Sequence, residues 1–191
     1  MDSPLVHQSW LELKPNEKLG GNSEYFDDYY LRIKNKGRYN HIPKSVFEQW
    51  IHPLHNNWET LCNYSWLNYL NTSFELVEWS FEALNKVNVI NKFEKLCRLR
   101  AGYDDFDQFF CIEEDKIYWK NEGTWKTPPI VLDNDSINTK IPEWSELEGN
   151  HQLIEGHSRF GYLRSIKKIS DLNKSQIAKR HKIWLMKVNT F

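Results

Sequence analysis

Residues 151–169, HQLIEGHSRFGYLRSIKKI, change hydrophobic period in mid-stretch. The run from His151 to Glu155 is short, with Leu153-Ile154 near its centre, and reads as a strand. From His157 onward the apolar residues fall at Phe160, Leu163, Ile166 and Ile169, the spacing of one buried helix face. Only Gly156 separates the two patterns. A strand that passes into a helix through one glycine leaves the chain little freedom. The turn is tight, and the first backbone N–H groups of the helix point outward past the strand end.

The flanks extend this pattern. TPPIVLD (127–133) is a strand candidate with proline at its start, where a missing N–H is tolerated. KIWLMKV (182–188) places Ile183 and Leu185 on one face of a last strand. Strand, loop, strand, helix and strand in this order suggest a small α/β unit. Upstream the texture is helical. Helices are expected over 43–51, with Pro43 at the start and Pro53 as the stop, and over 56–70. Further helices are expected over 74–87, capped by Thr72 or Ser73, and over 89–102, with Gly102 just past the end. Residues 24–34 fit either a strand or a helix, 103–123 have no clear period, and DLNKSQIAKRH (171–181) reads as polar and partly helical. The expected fold is α+β: a mainly helical region over 1–120 and a small mixed α/β module over 121–191, packed as one compact unit.

Composition narrows the functional classes. The 191 residues carry a net charge of −1, so nothing global drives the chain onto nucleic acid or membrane, and an anion site must be local. Cys62, Cys97 and Cys111 are odd in number and lack CxxC spacing, which argues against a disulfide framework or a zinc cluster. No haem site is legible. No apolar run approaches the roughly 20 residues of a membrane span, and the N-terminus lacks the pattern of a signal peptide. A cytoplasmic protein with reduced thiols is expected. Nine Trp, nine Tyr and ten Phe make the chain aromatic-rich; the Trp and Tyr of residues 58–81 are read chiefly as core, with a protein-binding or base-stacking surface as the alternative.

The chemistry concentrates at EGHSR. Helix N-termini attract anions through unpaired N–H groups and the helix dipole. Gly156 lets a ligand approach the backbone, and Arg159 in the first turn adds a forked grip on phosphate. His157 and Ser158 can donate hydrogen bonds, and His157 can also carry protons. Glu155 is the group of opposite sign, suited to a metal ion or to general-base work. Elsewhere, the acids of 104–115 are expected to form a solvated face. Arg164, Lys167 and Lys168 are expected on the solvent side of their helix. His52 and His55 are weak candidates for a metal pair.

HQLIEGHSRFGYLRSI resembles the signature box of the ParB/sulfiredoxin superfamily: a strand ending in an acid and glycine, two polar residues, then arginine at a helix start. TPPIVLDND and HKIWLMKV are similar to the strands before and after that box, so the resemblance spans roughly residues 125–189. It implies a fold that holds a nucleotide's phosphates, with Gly156 as the turn glycine, Arg159 as the phosphate-binding arginine, and His157 and Ser158 as the polar pair. Glu155 and His157 are then the acid–base candidates, and magnesium is expected with a nucleoside triphosphate. Hydrolysis or transfer of a phosphoryl group, in a setting such as phage defence, follows by family analogy. Two alternatives stay open. One is a metal-dependent nuclease using Glu155 on nucleic acid. The other is a non-enzymatic subunit or inhibitor that binds a protein partner through the aromatic helical region.

Overall fold

The structure, a computed structural model, describes residues 4–17, 23–172 and 175–189. The N-terminal region is built from short helices: α1 (Gln8–Glu12), α2 (Phe26–Asn35), α3 (Lys44–Val46), α4 (His52–Leu54) and α5 (Trp58–Tyr64). The ambiguous stretch 24–34 is helical in α2. Asp27 and Asp28 lie at its N-terminus and Arg32 and Lys34 near its C-terminus, the order that the helix dipole favours. The helical path does not stop at Pro53. Between α3 and α4 the segment Phe47–Ile51 widens into a π turn, and the His52 N–H bonds Phe47 O, five residues back. A proline crowds the carbonyl four residues before it, and a widened turn relieves that contact.

The helix expected over 56–70 is shorter than its period suggests: α5 ends at Tyr64, and a 3-10 turn at Tyr69–Asn71 follows. Residues 74–87 do not form a helix. Thr72–Trp79 is strand β1, and the helix that follows, α6 (Phe81–Leu84), is short. Its cap is Ser80, whose hydroxyl accepts from Ala83 N–H at 3.3 Å, not Thr72 or Ser73. Then come α7 (Asn91–Ala101), α8 (Glu113–Glu122), β2 (Ile130–Asp133), β3 (His151–Glu155), α9 (His157–Asp171) and β4 (His181–Val188). The expected strands at 127–133, 151–155 and 182–188 and the helix at 157–169 all form. Of the stretch 171–181, residues 173 and 174 lie outside the described residues, and 175–180 are not helical. The fold is α+β, with a four-stranded mixed sheet in the order β1-β4-β2-β3.

By packing, the chain divides into two compact units. The first is Met1–Glu75, Asp133–Glu148 and Leu185–Phe191; the second is Leu76–Leu132 and Gly149–Trp184. The first has an aromatic core. Trp10 lies 5.7 Å from Trp50 and 4.9 Å from Tyr69, and Trp50 meets Tyr64 edge-on at 5.8 Å, all of them buried. Of the Trp and Tyr over 58–81, Tyr64, Trp66 and Tyr69 are buried, as the simpler reading expects, whereas Trp58 is exposed.

The second unit buries Ile130, Val131, Leu153, Ile154 and Ile183 from its strands with Phe160, Leu163, Ile166 and Ile169 from α9. Helix α7 packs on α9 at very close range. A Cβ on Gly161 would lie 2.4 Å from Arg100 Cβ and 2.7 Å from Cys97 O, so the approach requires a glycine. That contact fixes the helix that begins at the candidate site. Among the described residues, no helix is long and apolar enough to cross a membrane.

Candidate functional site

Strand β3 delivers Glu155 to the lip of the turn, and Gly156 makes the turn with φ 104° and ψ 22°, in the left-handed region. Two constraints demand glycine here. The backbone conformation is costly for any residue with a side chain. A Cβ would also lie 2.5 Å from Pro129 Cβ, and 3.2 Å from both Nε and Nη2 of Arg159. Gly156 is the N-cap of α9 and its carbonyl accepts from Phe160 N–H at 2.9 Å, but it supplies no side-chain acceptor to the first turn.

Arg159 folds back over this turn. Its Nη2 donates to Glu155 Oε2, and its Nη1 donates to Thr127 O at 3.1 Å. Both members of the ion pair are largely covered, Arg159 being 20% and Glu155 23% exposed. The sequence reading brings these two residues to one turn but does not foresee their pairing. Thr127 and Pro129, which complete the turn from the start of β2, are visible in sequence only as the prolines that open a strand.

His157 plays a quieter part than its place in the motif implies. Its ring packs against Phe93 of α7, with centroids 4.1 Å apart, and its backbone carbonyl accepts from the Cys97 thiol at 3.2 Å. Burial, helped by the Arg159 charge, pushes its pKa down to about 3, and Nε2 is buried with no hydrogen-bond partner among the described residues. The imidazole is therefore neutral near pH 7, able to pack and donate but a poor proton acceptor. The Ser158 side chain makes no hydrogen bond among the described residues.

The remaining sequence candidates resolve into ordinary partners. Asp104, Asp107, Glu113 and Glu114 pair with Lys168, Lys120, Lys116 and Lys126. Lys167 pairs with Asp171. His52 Nε2 bonds Glu24 O at 2.7 Å, and His55 Nε2 bonds Trp10 O at 2.8 Å, so these imidazoles serve the backbone and do not converge. Among the described residues no three His, Cys, Asp or Glu side chains are grouped to hold a metal ion. The cysteines are free thiols, and burial raises the pKa of each.

Comparison of the chain with family models, with curated proteins and with solved structures finds no match.

Proposed function

We propose that the chain binds the phosphate groups of a nucleotide at the turn from Glu155 to Arg159. One observation carries this reading: a left-handed glycine opens α9 without a side-chain cap, directly beside the Arg159 guanidinium. Uncapped helix starts favour anions through their N–H groups and dipole. The arginine fork matches two oxygens of a phosphate. The likeness of residues 125–189 to the ParB/sulfiredoxin box supports the same turn by analogy.

In the free chain the fork is occupied by Glu155 and Thr127 O. A phosphate would replace Glu155 on the guanidinium, and the released carboxylate would remain at the lip of the site. Magnesium in nucleotide sites is commonly held by one or two carboxylates with phosphate oxygens and water. Glu155 alone fits such an ion only when phosphates complete its shell. The ion would offset phosphate charge there. For proton transfer Glu155 is better suited than His157, whose ring is buried and neutral. If a phosphoryl group is cleaved or moved, Arg159 and the first-turn amides are the groups placed to stabilise its charge.

A thermal-shift series tests this reading, using ATP, CTP, GTP and their diphosphates with and without magnesium, on wild type and Arg159→Ala. Ligand at 100-fold its Kd stabilises by about 2.7 kcal/mol, or roughly 5–10 °C for a chain of this size. The expected result is a shift with at least one nucleotide that Arg159→Ala abolishes. No shift with any nucleotide, or an equal shift in the variant, would overturn the proposal.

A further inference from the structure

Within the first compact unit lies a cleft of about 390 Å³, in the roughly 300–1,000 Å³ range of small-molecule sites. We infer that this cleft binds a neutral saccharide. It is independent of the turn at Glu155–Arg159, which belongs to the second unit.

The lining is uncharged in a chain whose residues are 27% charged. His7, Trp66, Asn68, Asn71, Asn138 and Thr139 supply its polar and aromatic surface, and among the described residues no Asp, Glu, Lys or Arg contributes. A phosphate or carboxylate would find no counter-charge there. The ligand must be neutral and rich in hydrogen bonds.

The polar groups are unspent. The side chains of Asn71, Asn138 and Thr139 have no hydrogen-bond partner among the described residues. Asn68 uses only its carbonyl, which accepts from Leu70 N–H at 3.1 Å, so its amide N–H groups are left over. His7 Nδ1 accepts from Ser9 N–H at 3.1 Å, which places the ring proton on Nε2 as a further donor. Each asparagine amide both donates and accepts, and so does each hydroxyl of a sugar. This matching of mixed donors and acceptors selects a polyol over a lipid or a simple amide.

The cleft is also fixed in shape. His7 caps α1, Asn68 caps the turn Tyr69–Asn71, and Asn189 N–H is bonded to Asn71 O at 2.6 Å. Trp66 and Leu67 form an apolar wall. Trp66 is 9% exposed, too little ring for a nucleobase to stack on, yet enough for contact with the C–H groups of a sugar. Asn138, Thr139 and Asn189 form an exposed rim, so one side is open for a longer glycan.

The test is a glycan array probed with the labelled full chain, followed by saturation-transfer NMR with glucose, maltotetraose, cellotetraose, chitotetraose and a neutral nucleoside, uridine. The expected result is binding to at least one neutral glycan class. It should be unchanged between about 50 and about 500 mM salt, because no charge lines the site. Double replacement Asn71→Ala with Asn138→Ala should weaken that binding about tenfold or more, equivalent to the loss of one or two good contacts. Neither amide has a partner among the described residues, so the variant's melting midpoint should stay within about 2 °C of wild type. Binding of no neutral glycan, binding of acidic glycans or uridine alone, or unaltered binding in the double variant would each overturn the inference.

Discussion

The Arg159 guanidinium closes onto the Glu155 carboxylate across the Gly156 turn, with Thr127 O as its second acceptor at 3.1 Å. The two residues stand four apart, yet they are not neighbours on one helix: Glu155 ends β3 and Arg159 belongs to the first turn of α9. The pair exists because the left-handed glycine reverses the chain between them. An anion entering this turn must compete with a carboxylate already in place.

Replacing that carboxylate separates stability from binding. Glu155→Gln removes the charge but keeps the shape. The half-buried arginine loses a charge-assisted partner, and the cost should be about 1–2 kcal/mol in a urea titration. Nucleotide affinity should rise severalfold by isothermal titration, since the competitor for the fork is gone. Unchanged or weaker affinity would mean that Glu155 helps to hold the ligand and does not compete with it.

Gly156→Ala meets both a forbidden backbone angle, φ 104°, and a contact 2.5 Å from Pro129 Cβ. The expected loss is about 2–4 kcal/mol. Gly37 makes a matched control, because its φ of 73° is also positive but nothing lies within 4 Å of an added Cβ. Gly37→Ala should therefore cost about 1 kcal/mol, the conformational part alone. Equal losses for the two variants in urea would show that the contact with Pro129 does not constrain the turn.

These relationships separate what the sequence carries from what it does not. The strand, glycine and helix at 151–169 are legible because the period changes cleanly at Gly156 and each segment buries its apolar face. β1 is not legible. Glu75, Leu76, Glu78 and Ala83 suit a helix, yet Thr72–Trp79 joins the sheet beside β4. Its burial is shallow, with Glu75, Leu76 and Glu78 exposed, so no strong two-residue alternation marks it. The turn itself was foreseeable in residue type but not in contact. His157 meets Phe93 and Arg159 meets Thr127 through folding at long range, and no local spacing encodes either meeting.

Buried neutral histidines make stability depend on pH. Burial lowers the pKa of His55 below its ordinary 6.5, that of His157 to about 3 and that of His181 to about 4. The unfolded chain takes up these protons first as pH falls. Stability is therefore lost from about pH 6.5 downward, until the folded pKa is reached, at up to about 1.4 kcal/mol per pH unit for each group. Glu12 and Glu24, whose pKa values are lowered by hydrogen bonds from Tyr39 and Arg32, lose their contribution only below their ordinary 4.5. Urea midpoints at about pH 7 and about pH 5 therefore isolate the histidines. His157→Gln should reduce the loss between the two conditions, whatever its effect at either one. The same loss in the variant would show that His157 is not buried as a neutral ring.

In the first compact unit one amide holds a long loop to a helix. Asn63 is 1% exposed. Its Oδ1 accepts from Glu146 N–H at 2.6 Å and from the Ser145 hydroxyl at 3.3 Å, while its Nδ2 donates to Glu59 O at 3.0 Å. Asn63→Ala removes all three bonds and leaves a small void beneath residues 145 and 146. The expected loss is about 2–3 kcal/mol. Faster amide exchange should appear first at Ser145 and Glu146, ahead of the rest of the unit. Asn138→Ala, at an exposed side chain with no hydrogen bond among the described residues, should change stability by less than about 0.5 kcal/mol. If Asn63→Ala is as mild as Asn138→Ala, the loop is held by its apolar contacts and the buried amide is dispensable.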